Sequence, residues 1–289
     1  MRARAPGKVV ISGAYAVLDG APALVAAVDR YAYADASALT DDTTPEVRAL
    51  GDSGPFPALD LSEQREGGRK LGLGSSASGL VASMAASALR HRGRFDRDAL
   101  YVCALKAHAA VHGGSGVDVA AATYGGILCY RREVAPEPTV LPSQTEWSLW
   151  NAGTASSTSA LLGRYQDFRT SRGRDFETFL SQLRDAAERA AWGAQAGGCM
   201  EGLLAQSQLL ARLEAESGME IFGKERERAR VAVAALGGVL LPGGAGGGDV
   251  YVLWTSGSEV RGSAARLLSD AGLERLHVKV ALHGVEKCL

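Results

Sequence analysis

Lys70-Leu71-Gly72-Leu73-Gly74-Ser75-Ser76-Ala77-Ser78-Gly79 places three glycines and three serines within ten residues, directly ahead of the apolar run Leu80-Val81-Ala82-Ser83-Met84-Ala85-Ala86. Gly72 and Gly74 permit backbone angles that a Cβ resists, so several N–H groups can turn toward one point. Ser75-Ser76 suits the first turn of a helix, whose unpaired N–H groups and dipole favour an anion. Such a loop can hold the phosphates of a nucleotide. The same composition also suits a flexible Gly/Ser connector. It is not the P-loop G-x-x-x-x-G-K-[ST], because no Lys-Ser or Lys-Thr follows the glycines.

Working outward, the 289 residues suffice for one large or two medium domains with a sizeable core. A net charge of -1 gives no basic excess of the kind a general nucleic-acid binder shows. Cys103, Cys129, Cys199 and Cys288 lie far apart without a C-x-x-C pair, which reads as reduced thiols of a cytoplasmic protein. Met1 to Lys8 carries two arginines with no long apolar stretch behind them, so no secretory signal is expected. No run of about 18 apolar residues predicts a membrane span. The 36 glycines cluster at 67–79, 113–126 and 237–248, which points to sites built from backbone.

The order of elements predicts an α+β chain in two halves. Val9–Ser12 and Ala23–Val28 read as strands around the turn Asp19-Gly20-Ala21-Pro22, and Tyr31–Ala38 continues in extended form with Tyr31 and Tyr33 on one face. Residues 40–69 read as loops or weak strands, and Leu80–Leu89 as a buried helix opened by the glycine loop. Asp96–Ala110 reads as a second helix, with Leu100, Cys103, Ala104 and Ala107 on its apolar face. Gly125–Tyr130 and Trp147–Trp150 look like strands. Helices follow at 175–195, 199–216 and 222–236, with strand-like runs at Val250–Trp254 and His277–Leu282. The boundary is placed near residue 150, and no fixed-period repeat is visible.

Three further segments join the glycine loop. Ala5-Pro6-Gly7-Lys8 delivers a lysine at the entrance to a strand; His112-Gly113-Gly114-Ser115-Gly116-Val117-Asp118 sets an aspartate behind a glycine turn; Leu241-Pro242-Gly243-Gly244-Ala245-Gly246-Gly247-Gly248-Asp249 is a second glycine run. In this order, from Pro6 to Asp249, the four resemble the motifs of the GHMP small-molecule kinases. Within that family the chain is most similar to the phosphomevalonate kinases, at Gly114–Ala122, at the Thr154-Ala155-Ser156-Ser157-Thr158-Ser159 cluster and at the glycine run. Mevalonate kinases place a magnesium-binding glutamate shortly before the His-Gly, where this chain has His108. The chain is also shorter than most phosphomevalonate kinases, being compact at 40–69 and 130–145.

The resemblance implies an α+β, two-lobed fold, residues 1–150 forming the nucleotide-binding domain and 151–289 the C-terminal domain, with nucleotide and acceptor sites between the lobes. It implies ATP and Mg2+ as cofactors and a small phosphorylated acceptor as partner, in a monomer or homodimer with no nucleic acid or membrane. Asp118 and Lys8 are then the catalytic pair: a carboxylate that receives or orients the acceptor's proton, and a fixed positive charge. Asp118 equally suits an N-cap for the helix behind it, and Lys8 a solvated surface position. Lys70, Gly72, Leu73, Gly74, Ser75, Ser76 and Ala77 form the ATP-phosphate set, with Ser76 offering its hydroxyl to Mg2+. Simple helix capping by Ser75 or Ser76 is the plainer alternative.

Ser115, Gly116, Ser156, Ser157, Thr158, Gly246 and Gly247 form the acceptor set. A capping cluster at 156–159 and a tight strand-to-strand turn at 243–248 are the structural alternatives. His108 and His112 stand four apart without a third ligand in view, so polar or structural roles are favoured for them. No G-x-S-x-G elbow supports serine hydrolase chemistry. The implied reaction is ATP-dependent conversion of phosphomevalonate to diphosphomevalonate. Mevalonate kinase and diphosphomevalonate decarboxylase are the neighbouring alternatives, and a catalytically silent GHMP-fold binding protein is the alternative of another class.

Overall fold

In the computed structural model, which describes residues 1–51, 54–112, 114–141, 145–153, 158–196, 199–248 and 250–288, Gly74 stands at φ +76° and opens the helix Ser75–Arg92. The helix ends where Gly93, again left-handed, returns its N–H to the Leu89 carbonyl. Its inward face is made of small and branched residues (Ala77, Leu80, Val81, Ala82, Ala85, Ala86), all buried. That lets the helices Arg97–His112 and Val117–Tyr124 pack directly against it.

The chain divides into two compact units that are discontinuous in sequence: residues 1–9, 25–138 and 278–289 form unit 1, and 10–24 with 139–277 form unit 2. Along the middle of the chain the switch falls between 138 and 139, against a sequence-based boundary near 150. The strands Arg2–Ser12 and Ala23–Thr40 each carry residues of both units.

The first sheet has the order Glu286–Cys288, Arg2–Ser12, Ala23–Thr40, Ile127–Tyr130, Glu137–Pro138, with Phe56–Asp60 paired onto Ala23–Thr40. The outer pairing is antiparallel, with Arg2 opposite Cys288 and Arg4 opposite Glu286. Tyr31 and Tyr33 do share a face: their ring centroids lie 6.2 Å apart, and the Arg4 guanidinium stacks 4.4 Å above Tyr31.

Unit 2 holds an antiparallel sheet, Glu274–Leu276, Thr145–Asn151, Val250–Ser256, Val239–Pro242, with the buried Tyr251, Leu253 and Trp254 in its long strand. The helices Thr158–Arg172, Arg174–Ala196, Met200–Ser217, Gly223–Ala235 and Ser258–Asp270 complete it. Gly202 lets two of them close tightly, since a Cβ there would stand 2.3 Å from the Ala190 nitrogen.

Thr158–Arg172 begins within the 156–159 cluster read as a helix start or cap, whereas Ser258–Asp270 is a helix where the sequence reading assigned no element. His277–Leu282 is no strand. It meets the sheet at the isolated Val28–Val280 bridge, with Asp29 N–H to Lys279 O, Ala281 N–H to Ala27 O and Gly126 N–H to Ala281 O. Just beyond it Gly284 packs closely on Thr123, where a Cβ would meet the carbonyl oxygen at 2.1 Å.

Candidate active site

The glycine loop is held by what flanks it. Lys70 ends a short exposed hairpin, Arg65–Glu66 against Arg69–Lys70. Leu71 and Leu73 point into the core and anchor the loop, while Gly72 and Gly74 between and after them take φ +73° and +76°. The Leu71 N–H donates to Gln64 O at 3.0 Å, and the Leu73 carbonyl accepts the Lys8 N–H at 2.8 Å. Gly7 makes this approach feasible: a Cβ there would stand 2.9 Å from Leu73 O. The Ala-Pro-Gly-Lys segment is therefore pressed onto the loop by backbone contact.

The cap of the helix is Gly74, with no side-chain cap hydrogen bond, so neither Ser75 nor Ser76 is the capping residue. Ser75 and Ala77 are buried and Ser76 is half-buried in the first turn. Behind the turn, the Ser78 hydroxyl accepts the Gln64 amide at 2.8 Å and lies 3.3 Å from the carbonyls of Gly74 and Ser75. Left-handed glycines ahead of an uncapped helix N-terminus make an anion-binding arrangement.

Lys8, Gly74 and Asp118 converge. A Cβ on Gly74 would meet Lys8 Cγ at 3.0 Å, Lys8 Cε at 3.1 Å and Asp118 Cβ at 3.5 Å. Lys8 is thus drawn across the loop instead of projecting freely from the surface. Asp118 is not an N-cap either: Gly116, at φ +84°, holds that position for Val117–Tyr124. Asp118 Oδ1 accepts the Val119 N–H at 3.1 Å, and Oδ2 lies 3.5 Å from Nε2 of the buried His108.

The turn before Asp118 has its own support. Tyr130 donates its hydroxyl to the Ser115 carbonyl at 2.5 Å, and the Ser115 hydroxyl accepts the Val117 N–H at 3.4 Å. At Gly116, with φ +84°, a Cβ would stand 2.4 Å from Leu105 Cδ2 and 3.1 Å from the Tyr130 oxygen, so any other residue is strained there. Burial pushes the Tyr130 phenol up; a hydrogen bond with Tyr101 opposes this, and the nearby Asp118 charge adds to it. Tyr130 therefore stays a hydrogen-bond donor.

In unit 2 the second glycine run connects two antiparallel strands, Val239–Pro242 and Val250–Ser256. Gly243 accepts the Val10 N–H and donates to Val250 O; Gly247 donates to Ile221 O at 3.1 Å; the buried Tyr15 donates its hydroxyl to Ala245 O at 2.6 Å. Gly246, at φ +88°, sits so close that a Cβ would meet Ile221 O at 2.7 Å. Glu214 fixes the facing segment by accepting the N–H groups of Ile221, Phe222 and Gly223. Thr158 is the exposed first residue of its helix. Ser156, Ser157, Gly113 and Asp249 lie outside the described residues.

The sequence reading missed Tyr15, Tyr130 and Glu214 and gave His108 no chemical task. The one signal available was the position of His108, one residue after Ala107 and four after Ala104 on the inward face of its helix. Among the described residues no group of three or more His, Cys, Asp or Glu is placed to hold a metal ion, and no helix is long and apolar enough to cross a membrane.

Residues 47–126 match the family described as GHMP kinases N terminal domain. The phosphomevalonate kinase of Streptomyces sp. (strain CL190) is 29% identical, with 97% of each chain covered. The mevalonate kinase of Archaeoglobus fulgidus is 26% identical over 91% of this chain and 95% of its own. Among solved structures, Streptococcus pneumoniae phosphomevalonate kinase in complex with phosphomevalonate and AMPPNP superposes with a TM-score of 0.80 at 20% identity, covering 97% of this chain and 99% of that one. The helix-opening glycine loop, the aspartate behind its glycine turn and the arrangement of sheets and helices thus agree: the chain carries a GHMP kinase N-terminal domain and has the GHMP kinase fold.

Proposed function

We propose that the chain transfers the γ-phosphoryl group of ATP to a small phosphorylated acceptor, phosphomevalonate, giving diphosphomevalonate and ADP. The observation that carries this reading is the convergence of Lys8 and Asp118 over Gly74, at the N-terminus of the Ser75–Arg92 helix. Phosphoryl transfer asks a protein mainly for position and for compensation of charge. The backbone N–H groups of 72–76 and the helix N-terminus hold the triphosphate, and Lys70 and Lys8 offset its charge. Asp118 orients the acceptor and takes the proton of its attacking oxygen. That oxygen bonds to the γ-phosphorus as the bond to the ADP oxygen breaks.

Mg2+ would accompany the nucleotide, and the half-buried Ser76 hydroxyl in the first turn of the Ser75–Arg92 helix is the hard oxygen donor that would be offered to it. When bound, the ion neutralises part of the developing phosphate charge. Ser115, Gly116, Ser156, Ser157, Thr158, Gly246 and Gly247 are assigned to the acceptor on resemblance. A cytoplasmic monomer or homodimer belongs to the same reading.

Mevalonate kinase is the second reading, favoured by the two mevalonate kinases among the relatives, from Archaeoglobus fulgidus and Aeropyrum pernix at 26% and 29% identity. The histidine at position 108, in place of a glutamate, speaks for phosphomevalonate. A coupled assay of ADP release against mevalonate, phosphomevalonate, diphosphomevalonate and homoserine decides. Turnover of phosphomevalonate alone is the expected result; turnover of mevalonate alone replaces the reading. Carbon dioxide from diphosphomevalonate identifies a decarboxylase. ATP binding without turnover of any acceptor identifies a binding protein.

A further inference from the structure

We propose that His108 is a positioning residue for Asp118: its Nε2, 3.5 Å from Oδ2, fixes the rotation of the carboxylate by donating to it, while the Val119 N–H holds Oδ1. The inference rests on the reading that Asp118 faces the reacting groups, and extends it by one residue.

A carboxylate in the first turn of a helix has two soft torsions, and an acceptor oxygen must meet a defined lone pair on it. Asp118 has separate handles on its two oxygens. Oδ1 receives the Val119 N–H at 3.1 Å from its own helix, and Oδ2 faces Nε2 of His108 at 3.5 Å from a different one. His108 is 5% exposed, on a helix that packs against both Ser75–Arg92 and Val117–Tyr124. Its imidazole is therefore held by packing and cannot swing out to solvent, whereas Asp118, with 21% of its side chain exposed, keeps an open side toward a ligand. A distance of 3.5 Å is long for a hydrogen bond; contacts of this kind tighten in the substrate complex.

The Tyr130 hydrogen bond to Ser115 O and the Cβ-free Gly116 fix the start of the Asp118 helix, so the backbone of Asp118 is set independently of His108. His108 adds control of the side chain alone. That separation makes the proposal testable, since loss of His108 should act on the chemical step without moving the nucleotide loop.

The experiment compares His108→Gln, which keeps an N–H near Nε2, with His108→Leu, which keeps bulk and removes the donor, each alone and combined with Asp118→Asn. We expect His108→Leu to lower kcat about 10-fold or more with KM for ATP within about 2-fold, and His108→Gln to recover most of that loss. The Asp118→Asn/His108→Leu double variant should be no slower than Asp118→Asn alone, because both changes act through one carboxylate. In parallel, the imidazole 15N resonance of His108 in the wild-type chain should shift on Asp118→Asn. Equal kcat for wild type and His108→Leu, losses that multiply in the double variant, or a 15N resonance indifferent to Asp118→Asn would each overturn the proposal. A wild-type chain that releases no ADP with any acceptor, yet shows the 15N shift, removes the kinase reading and leaves the His108–Asp118 contact standing. Should His108→Leu fail to fold, His108→Gln kinetics and the 15N shift still decide.

Discussion

Two glycine loops in this chain look alike on paper and have different surroundings. At Gly74 the neighbours that a Cβ would meet are side chains, the methylenes of Lys8 and the Cβ of Asp118. At Gly246 they are the backbone oxygen and Cα of Ile221, with the Ile221 side chain beside them. The first loop runs into a helix N-terminus without a side-chain cap, and the second spends its N–H groups at Gly243 and Gly247 on Val250 and Ile221. The first glycine lets chargeable side chains approach the loop, and the second lets one backbone segment approach another. Composition alone does not separate the two.

The contrast can be broken at four places. Asp118→Asn keeps shape and removes the negative charge, so ADP release should fall by about 10²-fold or more with ATP affinity largely kept; unchanged turnover would remove Asp118 from the chemistry. Gly246→Ala forces a Cβ to 2.7 Å from a carbonyl oxygen at φ +88°, and should cost about 2–3 kcal/mol in urea unfolding with KM for ATP unaltered. If it spared stability and raised KM instead, the second loop would resemble the first.

Gly74→Ala meets the flexible Lys8 chain at 3.0 Å, which can move aside, so the stability loss should stay near 1 kcal/mol while KM for ATP rises several-fold. A pure stability loss here would place both loops in one class. Tyr130→Phe deletes the hydrogen bond to Ser115 O and should cost about 1 kcal/mol in thermal unfolding, with a smaller loss of turnover than Asp118→Asn.

Much of the candidate site's local structure was legible because its parts are local. Gly-x-Gly-Ser-Ser before an apolar run encodes a turn and a helix start, and the helix begins at Ser75. Gly-Ser-Gly-x-Asp encodes a second such turn, and helix Val117–Tyr124 begins behind Gly116. The capping alternatives for Ser75, Ser76 and Asp118 failed for one reason: a left-handed glycine had already taken each cap. What stayed hidden is non-local. Nothing in the spacing of residues 8, 74 and 118 says that they meet, and His108 joins Asp118 across a helix and a turn. The strand Arg2–Ser12 runs longer than its apolar core, Val9–Ser12, because Arg2–Arg4 pair with Glu286–Cys288. Helix Ser258–Asp270 had no counterpart in the sequence reading, and only Ala264 and Leu268 are buried along it.

That pairing of Arg2–Arg4 with Glu286–Cys288, joined by the Arg4–Glu286 ion pair at 2.5 Å, carries a consequence for biosynthesis. A ribosome makes residues 10–24 and the whole of 139–277 before it reaches the segment that completes the first sheet. The nascent chain must therefore keep the Arg2 edge unpaired, and open to wrong partners, through most of translation. The basic side chains Arg2 and Arg4, stacked on Tyr33 and Tyr31, give that waiting edge a charge that discourages another strand from adding to it.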